Sequence, residues 1–309
     1  MRKVIGIGET ILDILFKDNQ PYRAVPGGSV FNGFVSLGRL GVPLVFISEL
    51  GNDRVGDIIR DFMRENNIPE DYVDCFPDGK SPVSIAFLDE NNNADYIFYK
   101  NYPNQRLESP LPRIEEDDIL IFGSYYALNP ALRERTIEFL EYAKERKAIL
   151  YYDPNFRSAH AHEAVRLRAA ILENFEYADI IRGSEEDFFN IFGDNNMEKV
   201  YKDRVKFYCP NLIVTRGAGE VMLFSESGCE KFPVPQVSPV SAIGAGDNFN
   251  AGIIYGILKY GLRRENLSSL TKETWRDIIR CGIELAVESC RSSDNYISKS
   301  FASSYAQNR

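Results

Sequence analysis

Short apolar runs recur along the chain, each ending in a turn or loop signal: residues 4–7, 45–48, 119–122, 149–152, 180–181 and 212–214. Runs without a polar alternate fit strands buried on both faces. Between many of them lie stretches with helical spacing, at residues 31–40, 55–65, 129–146 and 162–174. This alternation predicts an α/β fold with a parallel sheet covered by helices. Two aromatic-rich segments, 14–25 and 83–102, break the rhythm: they alternate with period two and hold no helix. Asp89 to Asn93 reads as a hairpin tip between 83–88 and 96–100. Both segments are expected to form antiparallel strands outside the main sheet; the alternative is an edge extension of that sheet. No internal repeat or low-complexity tract is evident, and the polar stretch 292–309 shows no clear pattern.

Composition narrows the class. The 309 residues are 44% hydrophobic and 26% charged, close to globular averages, which excludes wholesale disorder and collagen-like structure. Forty-five acids against thirty-six bases leave a net charge of −9. A general nucleic-acid or membrane-surface binder needs a basic face, so neither partner is expected. A small anionic ligand needs only a local positive site. The first residues, Met-Arg-Lys and a short strand, lack the apolar stretch and cleavage site of a signal peptide. Five scattered cysteines without a C-x-x-C pair read as reduced thiols, so a cytoplasmic protein is expected. The two histidines, His160 and His162, are read as exposed loop residues rather than metal ligands or a triad member.

Two glycine motifs mislead. Gly6-Ile7-Gly8 follows a strand, but Ile11 stands where a dinucleotide fingerprint needs its third glycine. Gly79-Lys80-Ser81 lacks the first P-loop glycine, Asp74 standing there, and Pro82 follows where a helix should begin.

The strongest constellation is Ser241-Ala242-Ile243-Gly244-Ala245-Gly246-Asp247, which runs into an apolar helical stretch. A helix start exposes backbone N–H groups and partial positive charge, and so holds anions. Glycine at 244 and 246 leaves room for a phosphate to approach. Asp247 in the first turn is read either as a cap or as a general base. A carboxylate beside an anion hole is what phosphoryl transfer to an alcohol requires. The second motif is Pro26-Gly27-Gly28-Ser29-Val30-Phe31-Asn32, where paired glycines precede a helix and Asn32 can both donate to and accept from a hydroxyl.

Together the two segments resemble the paired signatures of the ribokinase/pfkB-type carbohydrate kinases: G-G-x-x-x-N, then G-A-G-D followed by F-x-x-G, here Phe249 and Gly252. Weaker matches fall in the right order between them. Residues 8–13 resemble the first strand with its sugar-contacting aspartate, and 51–56 the G-x-D-x-x-G turn. Asp153-Pro154-Asn155-Phe156-Arg157 resembles the D-x-N-x-R element of the fructokinase and ketodeoxygluconate-kinase branches. Val214 to Gly219 resembles the T-x-G-x-x-G nucleotide turn.

The resemblance implies a ribokinase-like three-layer α/β/α core, residues 1–12, 26–80 and 104–309, with a small β-sheet lid from 13–25 and 81–103. It implies transfer of the γ-phosphate of ATP to a sugar hydroxyl with Mg²⁺, with fructose or a related ketose favoured by the 153–157 element. By position, Asp247 would be the base, and the amides of Gly244, Ala245 and Gly246 the anion hole. Asp13, Gly27, Gly28 and Asn32 would hold the acceptor's hydroxyls, and Arg157 would touch the acceptor or the transferring phosphate. Lys100, on the lid, stands where sugar-acid kinases often carry arginine; it is read as an acceptor contact or a solvated residue, and leans away from a sugar acid. Thr215, Gly217 and Gly219 would line the nucleotide site, with Arg216 as its cation. Ser184 and Asp187 align with the N-x-x-E element linked to Mg²⁺; an acid-rich helix cap is the alternative, and no direct metal ligand is assigned. Ser241 replaces an aspartate that helps hold the monovalent cation in potassium-activated members, which weakens an expectation of such activation. A homodimer through the lids is implied as well. Two alternatives stay open: a family-like binding protein with little turnover, and a nucleoside kinase with an aromatic lid pocket.

Overall fold

The computed structural model describes residues 2–88, 94–103 and 106–307, so the turn expected at Asp89 to Asn93 lies outside the described residues. The chain opens with β1 (Val4–Ile7), then β2 (Ile11–Lys17) and β3 (Gln20–Gly27). Helix α1 (Ser29–Arg39) leads to β4 (Leu44–Gly51), α2 (Arg54–Glu65) and β5 (Val73–Phe76). Next come β6 (Lys80–Leu88) and β7 (Ala94–Asn101). A regular alternation follows: β8 (Ile119–Gly123), α3 (Arg133–Glu145), β9 (Ile149–Asp153), α4 (Ala164–Tyr177) and β10 (Ile180–Ser184). Helices α5 (Glu185–Phe192) and α6 (Met197–Val200) precede β11 (Leu212–Thr215), β12 (Glu220–Ser225) and β13 (Gly228–Pro233). Three helices complete the fold: α7 (Ala245–Lys259), α8 (Lys272–Ser289) and α9 (Lys299–Gln307).

Among the described residues, nine strands form one sheet in the order β13-β12-β11-β10-β9-β8-β1-β4-β5. It is parallel from β5 through β11, and β12 and β13 add an antiparallel margin. Successive side chains on a strand point to opposite faces, and here both faces are apolar. Val4, Ile119, Ile121, Ile149 and Tyr151 enter one core, with residues of α1, α7 and α8. Ile5, Leu120, Phe122, Leu150 and Tyr152 enter the other, with residues of α3, α4 and α5. That double burial is why these strands read as continuous apolar runs.

The aromatic segments form a separate four-stranded sheet, β3-β2-β6-β7, not an edge of the large one. β2–β3 and β6–β7 are antiparallel as expected, but the central β2–β6 pair is parallel. The pairing of two distant segments cannot be read from local alternation. The β12–β13 pair, the short β5 and the terminal α9 were likewise not expected from the pattern. β5, β13 and α9 bury few apolar residues and take their form from tertiary context. β12 is a continuous apolar run, Val221 to Phe224, buried on both faces like the parallel strands.

A buried ion pair fixes the chain's return from the small sheet. The Arg106 guanidinium bonds the buried carboxylate of Glu49 at the end of β4, and the Tyr126 hydroxyl (3.2 Å) and Leu107 amide (3.2 Å) also donate to it. Arg106 stacks 3.6 Å from the ring centre of Tyr102, whose hydroxyl donates to Glu9 at 2.5 Å. The strand-end loops of the core are thereby tied to the base of the small sheet.

Helix α7 is buried from Asp247 to Ile257, so it must pack on all sides. Glycine makes that feasible: a Cβ at Gly252 would lie 2.3 Å from the backbone oxygen of Cys281 on α8. Gly252→Ala adds helix propensity of up to about 1 kcal/mol. Against it stands an overpacking cost of about 1–3 kcal/mol, because a backbone oxygen cannot swing aside. Net destabilisation is expected, read as a lower urea midpoint with an unchanged slope.

Candidate active site

The site forms where the first turn of α7 meets α1 and the small sheet. Gly244 caps α7 in the left-handed region (φ 78°), and a Cβ there would sit 2.5 Å from the Asn295 carbonyl oxygen. Only glycine satisfies both constraints. The Asn248 amide group donates to the carbonyls of Gly244 and Asn295, each at 2.8 Å. The Ser36 hydroxyl of α1 donates to Asn248 Oδ1 at 2.5 Å and accepts from the Ile297 amide at 3.2 Å. Thus α1 and the segment before α9 clamp the turn from outside. The amides of its first residues, including Ala245 and Gly246, lie at the positive end of a 15-residue helix.

Asp247 is buried in this turn, and one carboxylate oxygen accepts from Asn32 Nδ2 at 2.8 Å. Burial pushes its pKa up to about 6; the Asn32 bond and the charges of Arg157 and Arg182 oppose the rise, and Asp153 adds to it. Asp13, on β2, is also buried and accepts from the Ser84 hydroxyl of the neighbouring β6. Burial likewise pushes Asp13 up to about 6, with Ser84 opposing and Glu9 adding. Gly27 lies against it: a Cβ there would be 2.5 Å from Asp13 Oδ2. Gly28 (φ 134°) passes so close to the Glu9 carbonyl that a Cβ would overlap it at 2.1 Å. Asp13, Gly27, Gly28, Asn32 and Asp247, scattered in sequence, therefore meet in one place.

Arg157 follows a tight turn in which the Asn155 amide donates to Asp153 Oδ1 at 3.0 Å. Its exposed guanidinium acts electrostatically on both Asp247 and Tyr96. Tyr96 was not singled out from the sequence. Its hydroxyl is pushed up to about 12, first by burial and then by Asp13, with Asp247 adding and Arg157 opposing, so it faces the same site. The signal was available in strand geometry: Tyr96, Phe98 and Lys100 share one face of β7. Tyr96 and Phe98 are stacked at 5.8 Å, and Lys100 lies 5.1 Å over the Phe98 ring. Lys100 pairs with Glu9 at 2.7 Å, so its charge is already answered.

Among the residues expected to line a nucleotide, Thr215 ends β11 beside Ser184 of β10. Gly217 (φ 57°) and the Gly219-to-Arg216 backbone bond (3.0 Å) turn the chain tightly toward β12. Arg216 pairs with Glu185 at 2.6 Å and Glu220 at 3.0 Å, so two carboxylates compete for the charge assigned to a phosphate. Ser184 and Asp187 form a reciprocal capping box at the start of α5. Asp187 still acts electrostatically on Asp153 and Arg182, and so borders the site. Arg182, missed in the sequence, is a buried cation between Asp153 (3.1 Å) and Thr215 (2.7 Å).

Other candidates fall away from this place. The glycines of the false fingerprint serve packing: a Cβ at Gly6 would strike the Phe34 ring at 2.5 Å. His160 is half-buried and stacks on Tyr125 at 4.2 Å, whereas His162 is exposed. None of the five cysteines is in a disulfide. Two clefts of about 540 and 600 Å³ lie elsewhere, one around Asp117, Asp179 and Arg264, the other between β13 and α8.

The chain matches the sequence model of the pfkB family carbohydrate kinases over residues 1–300. It belongs to that family. It is 27% identical over 285 residues to a fructokinase of Rhizobium leguminosarum bv. trifolii, covering 89% of this chain and 86% of that one. Among solved structures it resembles a Vibrio cholerae O395 fructokinase double mutant in fructose, ADP and potassium ion bound form. That match has a TM-score of 0.85 at 20% identity and covers 99% of this chain and 98% of the other. It also resembles the Salmonella enterica aminoimidazole riboside kinase complexed with aminoimidazole riboside and an ATP analog. There the TM-score is 0.80 at 21% identity, over 98% of this chain and 99% of the other. At these identities the structural likenesses establish the ribokinase-like fold.

The buried aspartate has a measurable cost. With its pKa at about 6 rather than the ordinary 3.8, native Asp247 keeps a proton that the unfolded chain loses between those pH values. Stability therefore falls as pH rises through that window and stays lower above it, by up to about 3 kcal/mol. Asp247→Asn, which keeps an oxygen for Asn32, is expected to raise Tm at pH 8 and change it little at pH 4. Melting curves at the two values check this.

Proposed function

We propose that this family member is an ATP-dependent sugar kinase that phosphorylates fructose or a related ketose. One observation carries the reading: a buried carboxylate, Asp247, sits in the first turn of α7 with its pKa at about 6. At neutral pH such a group is ionised yet basic enough to accept a hydroxyl proton as the oxygen attacks phosphorus. The Asn32 bond fixes its orientation. Across the turn, the amides of Gly244, Ala245 and Gly246 would meet the charge that spreads over the transferring phosphoryl group. Asp13, ionised and answered only by Ser84 among the described residues, would accept from two acceptor hydroxyls. Arg157 would steady the acceptor or the phosphoryl group. The 153–157 element and the names of the relatives favour fructose.

Mg²⁺ fits this site as an ion carried by the nucleotide. No cluster of three or more metal-ligating side chains occurs among the described residues. Magnesium normally needs only one or two carboxylates beside phosphates and water, and Asp187, with Glu186 near it, would serve through water. When bound, the ion neutralises phosphate charge. Ser241, whose hydroxyl accepts from the Ile243 amide at 3.2 Å, supplies no carboxylate for a monovalent cation.

A second acceptor class has one observation behind it. Phe98, 52% exposed on the inner face of β7, would stack with a nucleoside base. We place the protein in the cytoplasm from its unpaired cysteines; no helix among the described residues is long and apolar enough to cross a membrane.

We also propose a dimer through the small sheets. Ile14, Ile85 and Ile97 form one row on the sheet's outer face, opposite Asp13 and Ser84. Beside them Phe16 and Phe87 touch at 5.2 Å, and Ile97 and Tyr99 are 47% and 55% exposed. A mass of about two chains by light scattering is expected, falling to one chain in Ile97→Lys. A wild-type monomer would refute the dimer.

ADP release with Mg-ATP should be highest for fructose in a panel of hexoses, pentoses, sugar acids and nucleosides. A nucleoside preference would favour the second class, and silence throughout a binding protein. Asp247→Asn should lower turnover by at least about 10²-fold. Asp13→Ala should raise KM for the sugar far more than KM for ATP, and equal losses would count against its assignment.

A further inference from the structure

Three sequence elements that the proposed function treats separately converge on one buried side chain, Arg182 of β10. Its Nη1 lies 3.1 Å from Asp153 Oδ2, at the head of the 153–157 element. Its Nη2 donates to the Thr215 hydroxyl, 2.7 Å away, at the head of the nucleotide turn. A Cβ at Gly246 would lie 2.9 Å from Nη1 and 3.0 Å from Nη2, so the guanidinium rests directly against the first turn of α7. Phe249, one turn further along α7, covers it at 5.5 Å. The side chain is 7% exposed and that of Asp153 6% exposed. Asn250 of α7 also donates to Asp153, at 2.5 Å, and accepts from the Tyr151 hydroxyl at 2.9 Å.

We propose that Arg182 is a positioning residue for phosphoryl transfer. Its planar fork sets the distance between the nucleotide turn and the catalytic turn, and its fixed charge lies behind the anion hole. Three features support a role beyond neutralising Asp153. The two forked nitrogens serve different elements, which a point charge cannot do with one geometry. Because its bonds to Asp153 and Thr215 hold the guanidinium, a side chain at Gly246 would have to displace it, which favours glycine there. The other cation assigned to the nucleotide side, Arg216, is held on the surface by two carboxylates. Arg182 thus places a guanidinium behind the turn, its charge shared with Asp153, on the proposed phosphate side of an acidic protein.

The inference rests on the sugar-kinase reading, and its test separates the two. Removing Arg182 alone would strand a buried carboxylate and risk unfolding. Two variants avoid this. Arg182→Lys keeps the charge and loses the fork. The double variant Asp153→Asn with Arg182→Gln is neutral and keeps polar partners. Each is assayed with fructose and Mg-ATP, alongside Tm and calorimetric binding of a non-hydrolysable ATP analogue. For Arg182→Lys, KM for ATP and the analogue's Kd should rise at least about 5-fold, with KM for fructose within about 2-fold. In the folded double variant kcat should stay at least about 10-fold down. If Arg182 merely neutralises Asp153, the double variant recovers wild-type kcat, and that result overturns the proposal. Wild-type values for both KM and Kd in Arg182→Lys overturn it too, even if the double variant does not fold. If the wild-type protein does not turn over fructose, the acceptor reading fails, while the analogue's Kd in Arg182→Lys still decides the role of Arg182.

Discussion

The contact between the first turn of α7 and helix α1 is the constraint on which the rest of the site depends. It joins residues 215 positions apart through the Asn32–Asp247 bond. It is close because Gly33 has no side chain: a Cβ there would lie 3.0 Å from the Asp247 carbonyl oxygen. The left-handed Gly244 turns the chain into α7, and the carbonyl of Asn295 closes over it. The helix start that can receive an anion and the carboxylate that can receive a proton are therefore one rigid object. It is held by backbone packing that few other residues would permit.

Buried charge is arranged in two distinct ways around that object. Glu49 and Asp153 meet arginines, Arg106 and Arg182, and serve to hold elements together. Asp13 and Asp247 meet only neutral donors among the described residues, Ser84 and Asn32. A buried carboxylate whose direct hydrogen bond comes from a neutral group keeps much of its affinity for protons. This holds even where arginines act on it from further away, as Arg157 and Arg182 do on Asp247. That would suit two positions proposed to face an alcohol. With a net charge of −9, the protein's overall field opposes an anionic nucleotide. Attraction has to come from the helix terminus and from cations placed against it, where distance outweighs the total.

The small sheet divides its work between its faces. The inner face carries Asp13, Ser84, Tyr96, Phe98 and Lys100, and the outer face carries a row of isoleucines and phenylalanines. Period-two alternation explains how one aromatic segment serves both purposes. The Glu9–Tyr102 and Glu49–Arg106 contacts anchor the base of this sheet to the strand ends of the core.

Taken by itself, the sequence determined the alternation of strands and helices, the segments of the second sheet and the glycine turns before α1 and α7. Each is local: apolar period, turn chemistry and the need for glycine at a helix start act over a few residues. Through its resemblance to a known family it also named Asp247, Asp13 and Asn32 as partners in chemistry. Only the tertiary structure decided the parallel β2–β6 pairing, because two segments far apart in the chain must meet before register exists. It paired Lys100 with Glu9 and Arg216 with Glu185 and Glu220, and brought Tyr96 and Arg182 into the site. Charge neutralisation and burial depend on which elements fold against one another, and an arginine inside an apolar strand carries no local mark of the three motifs it will touch.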